Sequence, residues 1–120
     1  MGRSLVVKVT CGSEDAERCN QGFTVAAAAV ASGAEVSLWL TGEAAWFGVP
    51  GRAEEFSLDL ATPLADLLTV VVAGGRVIVC TQCAARRGIA EGDLREDVTI
   101  AGAAVFTEEI LGEGVQALVY

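Results

Sequence analysis

The chain has 120 residues, a formal net charge of −8 and a hydrophobic content of 52%. This length fits one domain over residues 1–120 with its own core, and the apolar content excludes a disordered chain. The acidic balance argues against nucleic acid and anionic membrane surfaces, which bind clustered basic residues. The absence of histidine rules out Ser-His and Cys-His dyads and imidazole-based zinc sites.

Strand and helix patterns alternate along the chain. Apolar runs predict strands at Leu5–Thr10, Glu35–Leu40, Arg76–Cys80, Val98–Ala101 and Val115–Val119. Cap and stop residues predict helices from Ser13 to about Ser32, from Thr62-Pro63 to Gly74, from Thr81 to Gly88 and over about 103–111. The order of elements therefore predicts an α/β fold.

Strands that are buried on both faces and joined by helices indicate a three-layer, flavodoxin-like fold. Its sheet is expected to be five-stranded and mostly parallel, with helices on both faces. The flavodoxin-like strand order is 2-1-3-4-5, in which strands one and three are neighbours. Cys11 follows strand one and Cys80 ends strand three, so this order predicts that both thiols face one crevice.

Residues 41–61 are difficult to assign, apart from a helical turn over 42–47. The segment is longer than the typical connection of about 2–6 residues, and it carries Trp46, Phe47 and Phe56. Either the segment folds back over its own sheet, or it forms a subunit interface. We expect the interface.

Cys80 and Cys83 carry most of the functional signal. The β-branched run Val77-Ile78-Val79 stops at Cys80, where a helix begins. The partial positive charge of a helix N-terminus favours a thiolate. Cys83 lies three residues further on, within the distance that a disulfide spans. The alternative is that both cysteines are small buried hydrophobic residues.

Three further side chains are candidates for substrate binding. Cys11 lies at a strand end, although it could equally be a packing residue. Arg86 and Arg87 could hold an anionic sulfur species, or be solvated arginines that complement the end of a helix dipole. Cys19 shares the apolar helix face with Phe23, which predicts core packing.

No metal or cofactor is expected. The cysteine spacing is not the two-knuckle pattern of a zinc site. The turn at 10–15 lacks both the dinucleotide-binding and the Walker glycines, and Glu14 and Asp15 would repel a phosphate there. No signal peptide or bilayer-spanning stretch is evident, so the expected location is cytoplasmic, where thiols stay reduced.

The run from Val79 to Ile89, Val-Cys-Thr-Gln-Cys-Ala-Ala-Arg-Arg-Gly-Ile, resembles the signature of the DsrE/DsrF-like sulfur-relay family. In that signature a cysteine ends a central strand and glycine follows eight residues later. The resemblance covers nearly the whole chain and is closest to the small YchN-like members, which also have a cysteine at the position of Cys83. It implies homo-oligomers, commonly trimers or hexamers, and a persulfide on Cys80. Relay members lack Cys83 and combine different subunits, so the role of Cys83 and the existence of a second subunit stay open.

We therefore expect a small cytoplasmic persulfide carrier, sulfurtransferase-like if active, in which Cys80 is the nucleophile and Cys83 a candidate resolving thiol. Persulfide transfer needs an accessible low-pKa thiolate and no general base. Its partners would be sulfur donor and acceptor proteins. The alternatives are a dithiol redox protein and a non-catalytic oligomeric protein that binds a small ligand or has a regulatory role.

Overall fold

The computed structural model describes residues 2–120 and contains one five-stranded sheet. The strands are β1 (Ser4–Val9), β2 (Glu35–Leu40), β3 (Arg76–Cys80), β4 (Val98–Ala101) and β5 (Val115–Val119). The helices are α1 (Ala16–Ala31), α2 (Arg52–Glu55), α3 (Leu64–Gly74), α4 (Thr81–Arg86) and α5 (Ala103–Ile110). Residues Gly42–Gly48 form a 3₁₀ helix before α2. The α/β class and the predicted strands are confirmed.

The strand order differs from the prediction. Every neighbouring pair is parallel, but the order is β4-β3-β2-β1-β5, so the predicted order 2-1-3-4-5 is wrong. Each of β2, β3 and β4 adds to the same side of the sheet, and β5 returns to the free side of β1. Both orders use the same strands and crossover helices, which is why the pattern of elements did not distinguish them. As a result, β2 separates β1 from β3.

The direction of the connections determines which face each helix covers. Crossovers between parallel strands are right-handed, so connections that move in one direction across the sheet share a face. Helices α1 and α3 pack together on the first face, over the larger core. The connection from β4 to β5 runs in the opposite direction, and α5 accordingly covers Val6, Trp39 and Ile78 on the second face. Helices on both faces are therefore confirmed.

Helix α5 is attached to the sheet by one carboxylate. Trp39 Nε1 donates to Glu109 Oε1 at 2.7 Å, and Ser37 Oγ donates to Glu109 Oε2 at 2.8 Å. Arg76 forms an ion pair with the same carboxylate. A half-buried carboxylate stabilises a contact only when its oxygens have partners, and these three donors supply them. The position of α5 on the second face is thereby fixed.

The aromatic residues of segment 41–61 pack against the chain's own core. Phe47 is buried, and its ring meets Phe23 and Phe56 edge-on at centroid distances of 5.9 and 5.7 Å. The half-buried Trp46 lies under the Arg52 guanidinium, 4.2 Å from its ring centroid. The segment therefore folds back over its own core, and its role in a subunit interface stays a prediction.

Gly42 allows the loops after β1 and β2 to approach each other. Its φ is +54°, and a Cβ there would collide with the backbone carbonyl of Thr10. We expect Gly42→Ala to lower the free energy of unfolding by about 2 kcal/mol or more, because the left-handed conformation is strained and a backbone carbonyl cannot rotate away. Urea unfolding measures this change.

The matched control is Gly92→Ala, because a Cβ at Gly92 meets open space and Gly92 has no positive φ. Its expected change is within about 0.5 kcal/mol. Equal losses in the two variants would contradict the close approach of the two loops.

Candidate active site at the start of helix α4

Cys80 belongs to the sheet and to a helix terminus at the same time. It ends β3, where it pairs with Ala101 of β4, and it is also the N-cap of α4. The N-cap position favours a side chain that accepts hydrogen bonds, because the first backbone N–H groups of a helix have no intrahelical partner. Thr81, the predicted cap, is instead the first helical residue. Cys80 therefore occupies the position at which a residue with a capping oxygen is usual.

The surroundings of Cys80 favour its thiolate. Burial opposes ionisation, but hydrogen bonding from the backbone N–H and the thiol of Cys83 and from the backbone N–H of Gln82 outweighs it. The positive charge of Lys8 acts in the same direction. The pKa of the Cys80 thiol is consequently lowered, while the half-buried side chain stays accessible. These are the properties of a cysteine nucleophile.

Cys83 lies one helical turn from Cys80 and is also half-buried. Its thiol helps to lower the pKa of the Cys80 thiol, and both cysteines are free. The predicted proximity of the two thiols is confirmed. A disulfide between them would close only a short loop at the start of α4.

Cys11 and Cys19 lie in a different environment. Burial, and then the charges of Asp15 and Glu14, raise the pKa of the Cys11 thiol, which is 5% exposed. Cys19 is completely buried, as predicted, and burial above all raises the pKa of its thiol. The prediction that Cys11 and Cys80 end neighbouring strands is wrong, because β2 lies between β1 and β3.

The two arginines of the motif differ in their contacts. Arg87 Nε donates to Glu43 Oε2 at 2.7 Å, and its Nη1 donates to the Cys83 carbonyl at 3.1 Å. Arg87 thereby connects α4 to the segment that follows β2. Arg86 is exposed in the last turn of α4. Binding of an anionic sulfur species by either arginine stays a prediction.

Lys8 acts on Cys80 through its positive charge, a role that the sequence pattern does not predict. Its signal was available, since Lys8 is the single lysine of the chain and interrupts the apolar strand β1. Its relation to Cys80 depends on strand order and register, which the sequence pattern did not provide.

The clefts of about 540, 500 and 430 Å³ are not lined by any of the four cysteines. The cleft of about 540 Å³ lies at the amino ends of β1, β2 and β3, beside Ser4, Glu35, Arg76 and Glu109. A smaller one of about 270 Å³ is lined by Glu14, Glu43, Trp46 and Arg52. Cys80 borders neither, so it is reached from the surface.

Residues 2–120 show neither a metal-binding cluster nor a membrane-spanning helix. No group of three or more cysteine and acidic side chains in this range is arranged to hold a metal ion. No helix within it is long and apolar enough to cross a membrane.

Comparison with known proteins agrees with this geometry. The model of the DsrE/DsrF-like family matches residues 4–118. The chain therefore belongs to the DsrE/DsrF-like family, and the predicted resemblance is confirmed.

Solved structures resemble the fold at low sequence identity. YchN from E. coli superposes with a TM-score of 0.81 at 19% identity, covering 98% of this chain and 99% of YchN. MTH1491 from Methanobacterium thermoautotrophicum, a protein of unknown function, gives a TM-score of 0.63 at 10% identity, covering 98% and 99% of the two chains. BT1422 from Bacteroides thetaiotaomicron, likewise of unknown function, gives 0.61 at 16% identity, covering 98% and 95%. A search of the curated proteins gives no match. These likenesses establish the fold.

The four thiols should differ in reactivity. We expect iodoacetamide to alkylate Cys80 first, with a rate that rises with pH through the lowered pKa and then levels off, because the thiolate is the nucleophile. Cys11 and Cys19 should react slowly, because they are buried and their pKa values are raised. Timed alkylation at graded pH with peptide mapping measures each rate. Faster labelling of Cys11 or Cys19 near neutral pH would show that the assignment is wrong.

Proposed function

We propose that this protein is a cytoplasmic persulfide carrier in which Cys80 accepts and passes on a sulfane sulfur. The observation that carries the proposal is the position of Cys80 at the N-cap of α4, where hydrogen bonds from Cys83 and Gln82 favour the thiolate. A thiolate that is already ionised needs no general base, which suits a chain without histidine. Donor and acceptor would be thiol proteins or small persulfides.

The proposed transfer has two steps. In the first, the Cys80 thiolate attacks the outer sulfur of a donor persulfide, the donor S–S bond breaks, and the donor leaves as a thiolate. In the second, an acceptor thiolate attacks the outer sulfur of the Cys80 persulfide, and Cys80 is regenerated as a thiolate. No electrons enter or leave the chain during either step.

Cys83 provides a second route, supported by its contact with Cys80. Its thiolate would attack the inner sulfur of the Cys80 persulfide, release hydrosulfide, and leave a Cys80–Cys83 disulfide. An external dithiol would then have to reduce that disulfide and would itself become oxidised. The same contact favours the second candidate function, a dithiol redox protein that carries electrons and no sulfur.

Intact-mass measurement after incubation with glutathione persulfide distinguishes these functions. We expect the reduced protein to gain about 32 Da, one sulfur atom, and Cys80→Ser to abolish the gain. Cys83→Ser should prolong the lifetime of the adduct, because the resolving thiol is removed.

Cys11→Ser is the control for this experiment and should load like the wild type, since the Cys11 thiol is buried and its pKa is raised. Loading that persists in Cys80→Ser would disprove the proposed role of Cys80. A disulfide that forms under mild oxidation without any sulfur adduct would favour the redox function.

We also propose that the chain forms a homo-oligomer, a trimer or hexamer. Support comes from exposed apolar side chains on the α5 face: Val105, Leu111 and Val119 are 52%, 77% and 64% exposed. Covering these side chains with a second copy of the chain would remove apolar surface from water. β5 is also an edge strand of the sheet, so its outer backbone groups are open to pairing.

Light scattering tests the oligomer. We expect a mass several times the 12.3 kDa of one chain, and a shift toward monomer in Val119→Lys, because a charge would be buried at the contact. Val70→Lys is the control, since Val70 is 40% exposed but lies on α3, on the other face of the sheet. A monomeric wild type at every concentration would contradict the proposal.

A further inference from the structure

Lys8 is an unusual residue for its position. It is the single lysine of the chain, and it is partly buried between the completely buried Val7 and Val9 of β1. β1 is an interior strand, with β2 on one side and β5 on the other. Lysine is rarely buried without a partner, because its ammonium loses hydration and its long side chain loses conformational freedom. The position therefore calls for an explanation.

The ammonium of Lys8 is held by an aromatic ring. Its Nζ lies 4.8 Å from the centroid of the Phe106 ring. Phe106 is itself held edge-on against Trp39, at a centroid distance of 5.2 Å. Within residues 2–120, no carboxylate oxygen approaches the Lys8 ammonium to the 4.0 Å of an ion pair. A cation–π contact orients a charge without neutralising it.

The register places this charge on the same face as Cys80. Lys8 pairs with Trp39, and Trp39 pairs with Ile78. Cys80 lies two residues beyond Ile78, and residues two apart on a strand share a face. Strand spacings of about 4.8 Å and rises of about 3.3 Å per residue put the Cα atoms of Lys8 and Cys80 about 12 Å apart.

Phe106 holds the Lys8 side chain at the end of the sheet where Cys80 lies. Gly102 directly follows Ala101, the β4 partner of Cys80, and the Phe106 N–H donates to the Gly102 carbonyl. Burial raises the pKa of the Cys80 thiol, whereas the donors on α4 and, after them, the positive charge of Lys8 lower it. The nearby charges of Arg87 and Glu43 pair with each other.

We propose that Lys8 is an electrostatic positioning residue that favours anionic sulfur at Cys80. It favours the thiolate before transfer and the perthiolate Cys80–S–S⁻ after it, and it selects anionic sulfur donors over neutral ones. The identity of the substrate rests on the proposed persulfide function, whereas the electrostatic effect on Cys80 rests on the fold alone.

Two alkylating reagents of different charge measure this effect directly. Iodoacetate is an anion and iodoacetamide is neutral, and both react with the thiolate, so the ratio of their rates at Cys80 cancels the thiolate fraction. We expect Lys8→Met to lower the ratio by about two- to fivefold at low ionic strength, with little effect at 1 M salt, where the Debye length is about 3 Å. Lys8→Arg should restore the ratio, and Phe106→Leu should lower it partly, because the ammonium is released.

Arg18→Met is the matched control, since it also removes one positive charge but from an exposed position on α1, paired with Asp15. An unchanged ratio in Lys8→Met would overturn the proposal. An equal fall in Arg18→Met would do the same, because it would indicate an effect of net charge alone. Circular dichroism shows whether each variant is folded. If Lys8→Met does not fold, Phe106→Leu tests the same proposal, because it keeps Lys8 and removes only the ring that holds its ammonium.

The failure of this proposal is distinguishable from failure of the proposed function. If the wild type gains no sulfur from glutathione persulfide while the reagent ratio still depends on Lys8, the persulfide function fails and the electrostatic role stands. If sulfur loads equally in Lys8→Met and the wild type, and the reagent ratio is unchanged, the role of Lys8 fails alone.

Discussion

The unpaired backbone N–H groups at the start of α4 are the constraint on which the site depends. A helix that begins directly at a strand end leaves these donors at the edge of the sheet, and Cys80 is the residue beside them. The pairing of Cys80 with Ala101 fixes the backbone that leads into Cys80, and the helix from Thr81 to Arg86 fixes the backbone that follows it. The sulfur is therefore held before any substrate arrives, and its ionised form is stabilised by backbone groups that no substitution of a side chain removes.

Local features of the site could be predicted from the sequence because they depend on neighbouring residues. The run Val77-Ile78-Val79 is apolar and β-branched, and Gly88, which adopts a positive φ of 68°, ends the following turn. Together they locate Cys80 at a junction between strand and helix. The identity of the cap was harder to predict: hydroxyl side chains are the usual caps, so Thr81 was preferred, whereas the cysteine one position earlier has the extended backbone of an N-cap.

Features that depend on which strands are neighbours could not be predicted in the same way. The predicted position of Cys11 beside Cys80 depends on β1 and β3 being neighbours. In the structure β2 lies between them, so the two cysteines do not end adjacent strands. The same insertion gave Lys8 its role, because the row of Lys8, Trp39 and Ile78 across three strands is what relates its charge to Cys80. The aromatic residues in segment 41–61 suggest a subunit interface, whereas the packing of Phe47 against Phe23 depends on α1 lying on the same face, which the sequence pattern does not show.

The charge of the whole chain and the charge at the site act over different distances. A net charge of −8 produces a negative field that slows the approach of small anions and favours positively charged partners. The field of the Lys8 ammonium is screened over about 8 Å in solution at physiological ionic strength, but less through the packed protein between Lys8 and Cys80. Cys80 borders none of the clefts of about 540, 500 and 430 Å³, so ligands reach the sulfur from the surface. In the proposed persulfide function, selection among sulfur donors at Cys80 would act through charge at short range, after the encounter, and Lys8 together with the donors of α4 would provide it.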